Sequence, residues 1–264
     1  TETPIALFQK LKRTDYAFLL ESVEGGSRWA RYSFAGTDPF LVFTAKDGRI
    51  TVRRRSGEQM VKRGNALTEL ERLVELYRCP KYDGFPPFLG GGVGLFAYES
   101  LGYIENLPSP ERDPLASPDV QFMFCDRMLV FDHFKQQVVA VRLLHVPNNP
   151  REAQLMQLYR ETTGELKKWV KCLRSERISP LPIPDTESRV SDVLPSYRSN
   201  QSKATYMRNV EKAKQYIYDG DIFQIVPSQR LEIDVKVAPF HVYRVLRTVN
   251  PSPYMYYLEM GDET

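Results

Sequence analysis

QFMFCDRMLVFDHFKQQVVAVRLLHV, residues 121–146, is apolar on both sides of a short polar break at Lys135, Gln136 and Gln137. It reads as two long strands, and a connection this short cannot make a parallel crossover, so the pair is antiparallel. Upstream, residues 90–96 resume the same sheet. Before them, Leu67, Leu70, Val74 and Tyr77 recur at helical spacing after Asn65, a good cap, and before the break at Pro80. Residues 40–52 read as a hairpin turning at Asp47-Gly48, a pair that readily takes positive φ. Residues 16–22 read as a buried strand, and Pro4, Ile5, Leu7, Phe8 and Leu11 open the sequence as a short helix.

Downstream, residues 152–173 form a charged amphipathic helix with Leu166, Trp169, Val170 and Leu173 on one stripe. Residues 175–200 carry Pro180, Pro182, Pro184, Pro195, Ser188, Ser191 and Ser199 with no periodicity, which marks a linker. Tyr206, Val210, Ala213 and Ile217 mark a helix closing at Gly220. A strand over residues 222–235, a short helix over 241–248 and the start of a strand at Tyr254 follow. The domains expected are therefore 1–174, a linker over 175–200, and 201–264. Periodicity alone gives a mixed α and β protein.

Composition narrows the function classes. The 264 residues are 42% hydrophobic, enough for a packed core, and 36 Lys and Arg nearly balance 33 Asp and Glu. That balance offers no footprint for nucleic acid, and Arg53, Arg54 and Arg55 read as solvated edge charges. Cys79, Cys125 and Cys172 stand far apart, as do His133, His145 and His241, so neither a disulfide framework nor a metal site is expected. No apolar run is long enough for a membrane span, no secretory pattern opens the sequence, and the free cysteines suit a reducing cytoplasm. Gly90-Gly91-Gly92-Val93-Gly94 is not a phosphate loop, because a strand rather than a helix follows it; its glycines are expected to let backbone or a large ring approach. The paired carboxylates Glu69-Glu71 and Asp219 with Asp221 have no supporting His and read as surface charges.

Three stretches, in order, carry a resemblance. Phe18-Leu19-Leu20-Glu21-Ser22 with Val23-Glu24-Gly25-Gly26, Trp29 and Arg31-Tyr32-Ser33-Phe34 resembles the amino-terminal signature of anthranilate synthase component I. Gly220-Asp221-Ile222-Phe223-Gln224-Ile225-Val226-Pro227-Ser228-Gln229-Arg230 resembles the opening of the chorismate-binding region of that family, and Asn250-Pro251-Ser252-Pro253-Tyr254-Met255 its tryptophan-site hexapeptide. The related aminodeoxychorismate synthase large subunit of folate synthesis usually carries an Ala-Pro-Phe form of the hexapeptide, so Ser252, Tyr254 and Met255 favour the tryptophan enzyme.

The resemblance implies an α+β fold of antiparallel sheets packed face to face with helices outside, incomplete at its carboxyl end. It implies conversion of chorismate and ammonia to anthranilate and pyruvate, with a glutamine amidotransferase partner supplying the ammonia. It also implies feedback inhibition by L-tryptophan bound by Glu21, Ser22, Pro253, Tyr254 and Met255, with Arg31 or Tyr32 meeting the carboxylate. Glu21 is expected to receive the ammonium, and Met255 and Pro253 to line the indole pocket. Gln224 stands at the edge of the chorismate pocket, where relatives that add water carry a Lys base; a neutral amide suits a ready-made nucleophile. The Mg²⁺ of the complete enzyme, its ligands and the catalytic His are expected outside this chain, which alone would make no anthranilate. A tryptophan-binding or interaction module without catalysis is the alternative of another class.

Overall fold

A computed structural model of the chain describes residues 2–12, 14–22, 31–108, 113–176, 196–261 and 264. In chain order the elements are α1 (Pro4–Leu11), β1 (Tyr16–Glu21), β2 (Tyr32–Thr37), β3 (Leu41–Lys46), β4 (Arg49–Arg54), β5 (Gln59–Arg63), α2 (Ala66–Leu76), β6 (Gly91–Phe96) and a 3-10 turn (Tyr98–Tyr103). There follow β7 (Val120–Cys125), β8 (Arg127–Asp132), β9 (Gln137–Arg142), α3 (Glu152–Ser175), β10 (Arg198–Ser199), α4 (Lys203–Tyr218), β11 (Leu231–Glu232), α5 (Pro239–Val249) and β12 (Met255–Met260).

Local chemistry sets the boundaries. The Thr3 hydroxyl accepts from the Ala6 N–H and Pro4 fills the first turn of α1, while Asn65 Oδ1 accepts from the N–H groups of Leu67 and Thr68 to start α2. Asp47 and Gly48 both have positive φ, 49° and 70°, and close the β3–β4 hairpin. Gly220, φ 82°, lies just past α4.

Two five-stranded antiparallel sheets result, β12-β1-β2-β8-β9 and β5-β4-β3-β7-β6. Their facing sides enclose Phe18, Val93, Met123, Met128, Val130 and Met260. On the outer side of the second sheet, Ala66, Leu70 and Leu73 of α2 meet Phe43, Ile50 and Phe124. On the outer side of the first, α1 brings Phe8 edge-on to Tyr257 at 5.7 Å. Burying each such aromatic contributes about 1.5–3 kcal/mol. The expected face-to-face α+β architecture is what the chain adopts.

Residues 121–146 differ from the reading as two strands: the first run is broken at Asp126, and its halves, β7 and β8, enter different sheets. An apolar run buried on both sides looks continuous whether or not it changes sheets. The polar residue at the crossing is held by charge. Asp126 Oδ1 lies 2.7 Å from Arg142 and 2.9 Å from Arg55; Arg55 also meets Asp38, which meets Arg127. Arg55 is thus half-buried in a network at both sheet crossings rather than a solvated edge charge, whereas Arg53 lies over the Tyr16 ring. Glu69 likewise is buried, not a surface charge: Arg72 and Lys62 hold it at 2.8 and 2.5 Å. β5 has no counterpart in the sequence reading, since Met60 and Val61 are exposed edge residues.

The chain divides into two compact units, residues 1–181 with 243–264, and residues 182–242. Residues 243–264 therefore belong with the amino-terminal unit rather than with 201–242, because β12 pairs with β1. Most of the linker, residues 177–195, lies outside the described residues. In the second unit the expected strand over 222–235 is reduced to β11, two residues paired with β10. A strand needs a neighbouring strand for its backbone groups, and residues 222–230 pair with none among the described residues, although Asn200 bonds the Arg230 backbone and Gln201 the Ser228 carbonyl.

Replacing Asp126 with Ala removes the carboxylate that Arg55 and Arg142 share, leaving them Asp38 and Glu165, and urea unfolding is expected to show a loss of about 2 kcal/mol. Hydrogen bonding from Arg72, with Lys62, lowers the Glu69 carboxyl from 4.5 to about 2. Its stabilisation is present above pH 4.5 and is lost as pH falls towards 2. Glu69→Gln should flatten the acid limb of a stability–pH curve over that interval.

Candidate functional site

β1 is the second strand of its sheet, flanked by β2 and the edge strand β12, and its pairing with β12 runs from Tyr16 opposite Met260 to Glu21 opposite Met255. Just past the last pair, Ser22 Oγ donates to the Pro253 carbonyl at 3.3 Å. The Leu-Glu-Ser and Pro-Tyr-Met segments, more than two hundred positions apart in sequence, thus share one corner of one sheet.

Strand alternation divides that corner between two faces. Leu19 and Glu21 share a face with Tyr257 and Met255, and this face is covered by helices: Tyr257 lies 5.7 Å from Phe8 of α1 and 5.6 Å from Tyr243 of α5. The Glu21 side chain is 1% exposed, its Oε2 accepting from the Tyr243 hydroxyl at 2.7 Å and lying 3.1 Å from Arg247 Nε. Burial first, and then the Glu21 charge, push the Tyr243 hydroxyl well above its usual range, so it stays protonated and donating. Met255 is buried on this same face.

Leu20, Tyr256 and Leu258 take the other face, which looks towards the second sheet. There a cavity of about 580 Å³ opens, lined by these three with Phe34, Phe88 and Val93, and bordered past the glycines of β6 by Phe96 and Phe122, which belong to the outer side of the second sheet. Phe34 and Phe88 meet edge to face at 5.6 Å, and Phe96 and Phe122 lie 5.0 Å apart. The volume and the aromatic lining suit a small flat ring system. The glycines of β6 make this wall thin: a Cβ at Gly92 would stand 3.1 Å from the Phe122 ring, and one at Gly94 only 2.0 Å from the Gln121 carbonyl. That is the close approach the glycine run suggested. A second hollow of about 590 Å³ beside Tyr77, Cys79 and Tyr82 is lined by no residue of the three resembling stretches.

The other expected ligands are distributed unevenly. Tyr254 and Pro253 are exposed at the corner. Tyr32 begins β2 and packs on the inter-sheet side, its ring 6.1 Å from Phe34. Arg31 is committed to Asp132, with Nη2 at 2.9 Å and Nε at 3.3 Å, and its guanidinium lies 4.8 Å from the Tyr32 ring. Hydrogen bonding from Arg31 in turn lowers the Asp132 carboxyl. Gln224 is exposed in the second unit, in the stretch 222–230 that joins no strand ladder among the described residues. Sequence reading missed Tyr243 and Arg247; their i, i+4 spacing on α5 was visible, but not what they would face. It also missed Phe34, Phe88 and Tyr256, ordinary aromatics until the sheets stack.

Among the described residues no three His, Cys, Asp or Glu side chains cluster as a metal site requires. The Mg²⁺ that the resemblance implies therefore finds no fitting donor set there. Burial raises the Cys125 thiol to about 12, so it is an inert core residue. No described helix is long and apolar enough to cross a membrane.

Residues 16–264 match the family described as chorismate binding enzyme, and the chain belongs to that family. It is similar to anthranilate synthase component 1 of Acetivibrio thermocellus, 41% identical over 98% of this chain and 52% of that protein. It is also similar to the component 1 of Geobacillus stearothermophilus, 32% identical over 97% of this chain and 51% of that protein. In fold it resembles the crystal structure of anthranilate synthase component I from Streptococcus pneumoniae, with TM-score 0.62 and 24% identity over 95% of this chain and 51% of that one. The chain thus spans about half the length of these relatives.

Because the Gly94 position leaves no room for a methyl group, Gly94→Ala should push β6 away from β7 and open the aromatic wall. A loss of about 2 kcal/mol or more in thermal or urea unfolding is expected, and wild-type stability would show that the two strands are not packed this closely.

Proposed function

We propose that this chain is part of an anthranilate synthase large subunit, and that the β1–β12 corner with the inter-sheet cavity beside it is the feedback site for L-tryptophan. The observation that carries the reading is the convergence of Glu21-Ser22 with Pro253-Tyr254-Met255, locked by the Ser22 hydrogen bond to Pro253. The aromatic cavity supplies an apolar wall for an indole, and polar backbone at the corner supplies partners for the amino-acid end. Ser22, Pro253 and Tyr254 stand at the corner, Tyr32 packs on the inter-sheet side beside Arg31, and Glu21 and Met255 support the corner from the helix-covered face.

In the complete subunit the reaction would convert chorismate and ammonia to anthranilate and pyruvate, the ammonia coming from a glutamine amidotransferase partner in the cytoplasm. Gln224 at the substrate edge supports amination: its amide cannot deprotonate water, and ammonia needs no base to become a nucleophile. Mg²⁺ would come with residues beyond those described. Relatives named anthranilate synthase component 1 support this product over aminodeoxychorismate.

Calorimetric titration of this chain with L-tryptophan is expected to show saturable binding that Ser22→Phe abolishes, since the ring both removes the bond to Pro253 and fills the corner. With chorismate, ammonia and Mg²⁺ the same chain should give no anthranilate fluorescence. Absence of tryptophan binding would refute the feedback site, and steady anthranilate production would refute the division of labour.

A further inference from the structure

We propose that Glu21 serves the tryptophan site as a positioning residue, through a buried Glu21–Tyr243–Arg247 clamp that fixes α5 and the loop it feeds, and not as the acceptor of the ligand's ammonium. The inference rests on the feedback-site reading above and changes the part Glu21 plays in it.

Three observations carry it. First, alternation along β1 turns Glu21 to the helix-covered face, opposite the cavity lined by Leu20, Tyr256 and Leu258. A ligand in that cavity would have to reach through the sheet to touch the carboxylate. Second, Glu21 is enclosed and already engaged, its Oε2 meeting the Tyr243 hydroxyl at 2.7 Å and Arg247 at 3.1 Å. The Arg247 Nε approaches as an ion pair and makes no hydrogen bond. Removing Arg247 from it would leave a buried carboxylate without its counter-charge, a costly state.

Third, the two partners sit one turn apart on α5, and α5 runs directly into the loop 250–254 that carries the hexapeptide. That loop is held at both ends: α5 is clamped to Glu21, Ser22 Oγ binds the Pro253 carbonyl, and β12 then zips onto β1 from Met255. Glu21 and Ser22, adjacent in sequence, therefore fix two successive parts of one wall. The short loop gives the clamp direct leverage over where Pro253 and Tyr254 stand.

The two parts Glu21 could play differ in sign. If Glu21 received the ammonium, Arg247 would be a competing cation, and Arg247→Gln would leave tryptophan affinity unchanged or raise it. For a clamp, Arg247→Gln should weaken tryptophan binding by about fivefold or more in calorimetry, with Arg247→Lys recovering part of the loss. Hydrogen exchange of residues 243–249 should lose protection in Arg247→Gln and in Glu21→Gln without ligand. Unchanged or tighter binding by Arg247→Gln overturns the proposal, as does unchanged exchange in both variants. If the unaltered chain binds no tryptophan, the feedback-site reading fails, and exchange of α5 alone decides whether the clamp exists.

Discussion

Six residues of β1 share a backbone ladder with six residues of β12, from Tyr16 opposite Met260 to Glu21 opposite Met255, and most of what is distinctive in the molecule depends on that pairing. Without it β1 would be an edge strand with one row of unpaired backbone groups. With it the first and last parts of the chain become one unit, the Ser22 hydroxyl reaches the Pro253 carbonyl, and α5 is drawn over Glu21. The closure of so long a loop is entropically costly, though the cost grows only slowly with length, and a full ladder with Leu19, Tyr257 and Met260 buried offsets it.

The second organising constraint is electrostatic. A sandwich whose chain changes sheets needs the crossing residue to be neither exposed nor unpaired, and Asp126 meets this by standing between Arg55 and Arg142. Asp38, at the other crossing, shares Arg55 and holds Arg127. One connected set of charges therefore ties the two crossings together, and separately Gly92 and Gly94 admit the Phe122 ring and the Gln121 backbone in the register of β6 against β7. The inter-sheet cavity is a consequence of these two arrangements taken together, because its walls come from both sheets.

The chain spans about half the length of the relatives it matches. The described residues hold an open aromatic hollow, with Tyr256 and Phe96 exposed at its mouth, and a polar corner where Ser22 meets Pro253. The stretch around Gln224 exposes Phe223 at 93% and Val226 at 78%, and pairs with no strand among the described residues.

Much of this was legible in the residues themselves. Asn65 had to cap a helix and Asp47-Gly48 had to turn a hairpin, because their side-chain oxygen and positive φ act within a few residues. The glycines from Gly90 to Gly94 marked a close approach, and the hexapeptide with Leu-Glu-Ser marked the family. What the residues could not disclose is what meets what. Asp126 looked like one polar residue in an apolar run, Glu69 like a surface charge, Glu21 like a free acceptor. Each was decided by partners from distant strands and helices, Arg142, Lys62, Tyr243 and Arg247. The side-chain period of two puts Glu21 and Leu20 on opposite faces, but only the stacking of sheet and helix says which face is a cavity and which is a clamp.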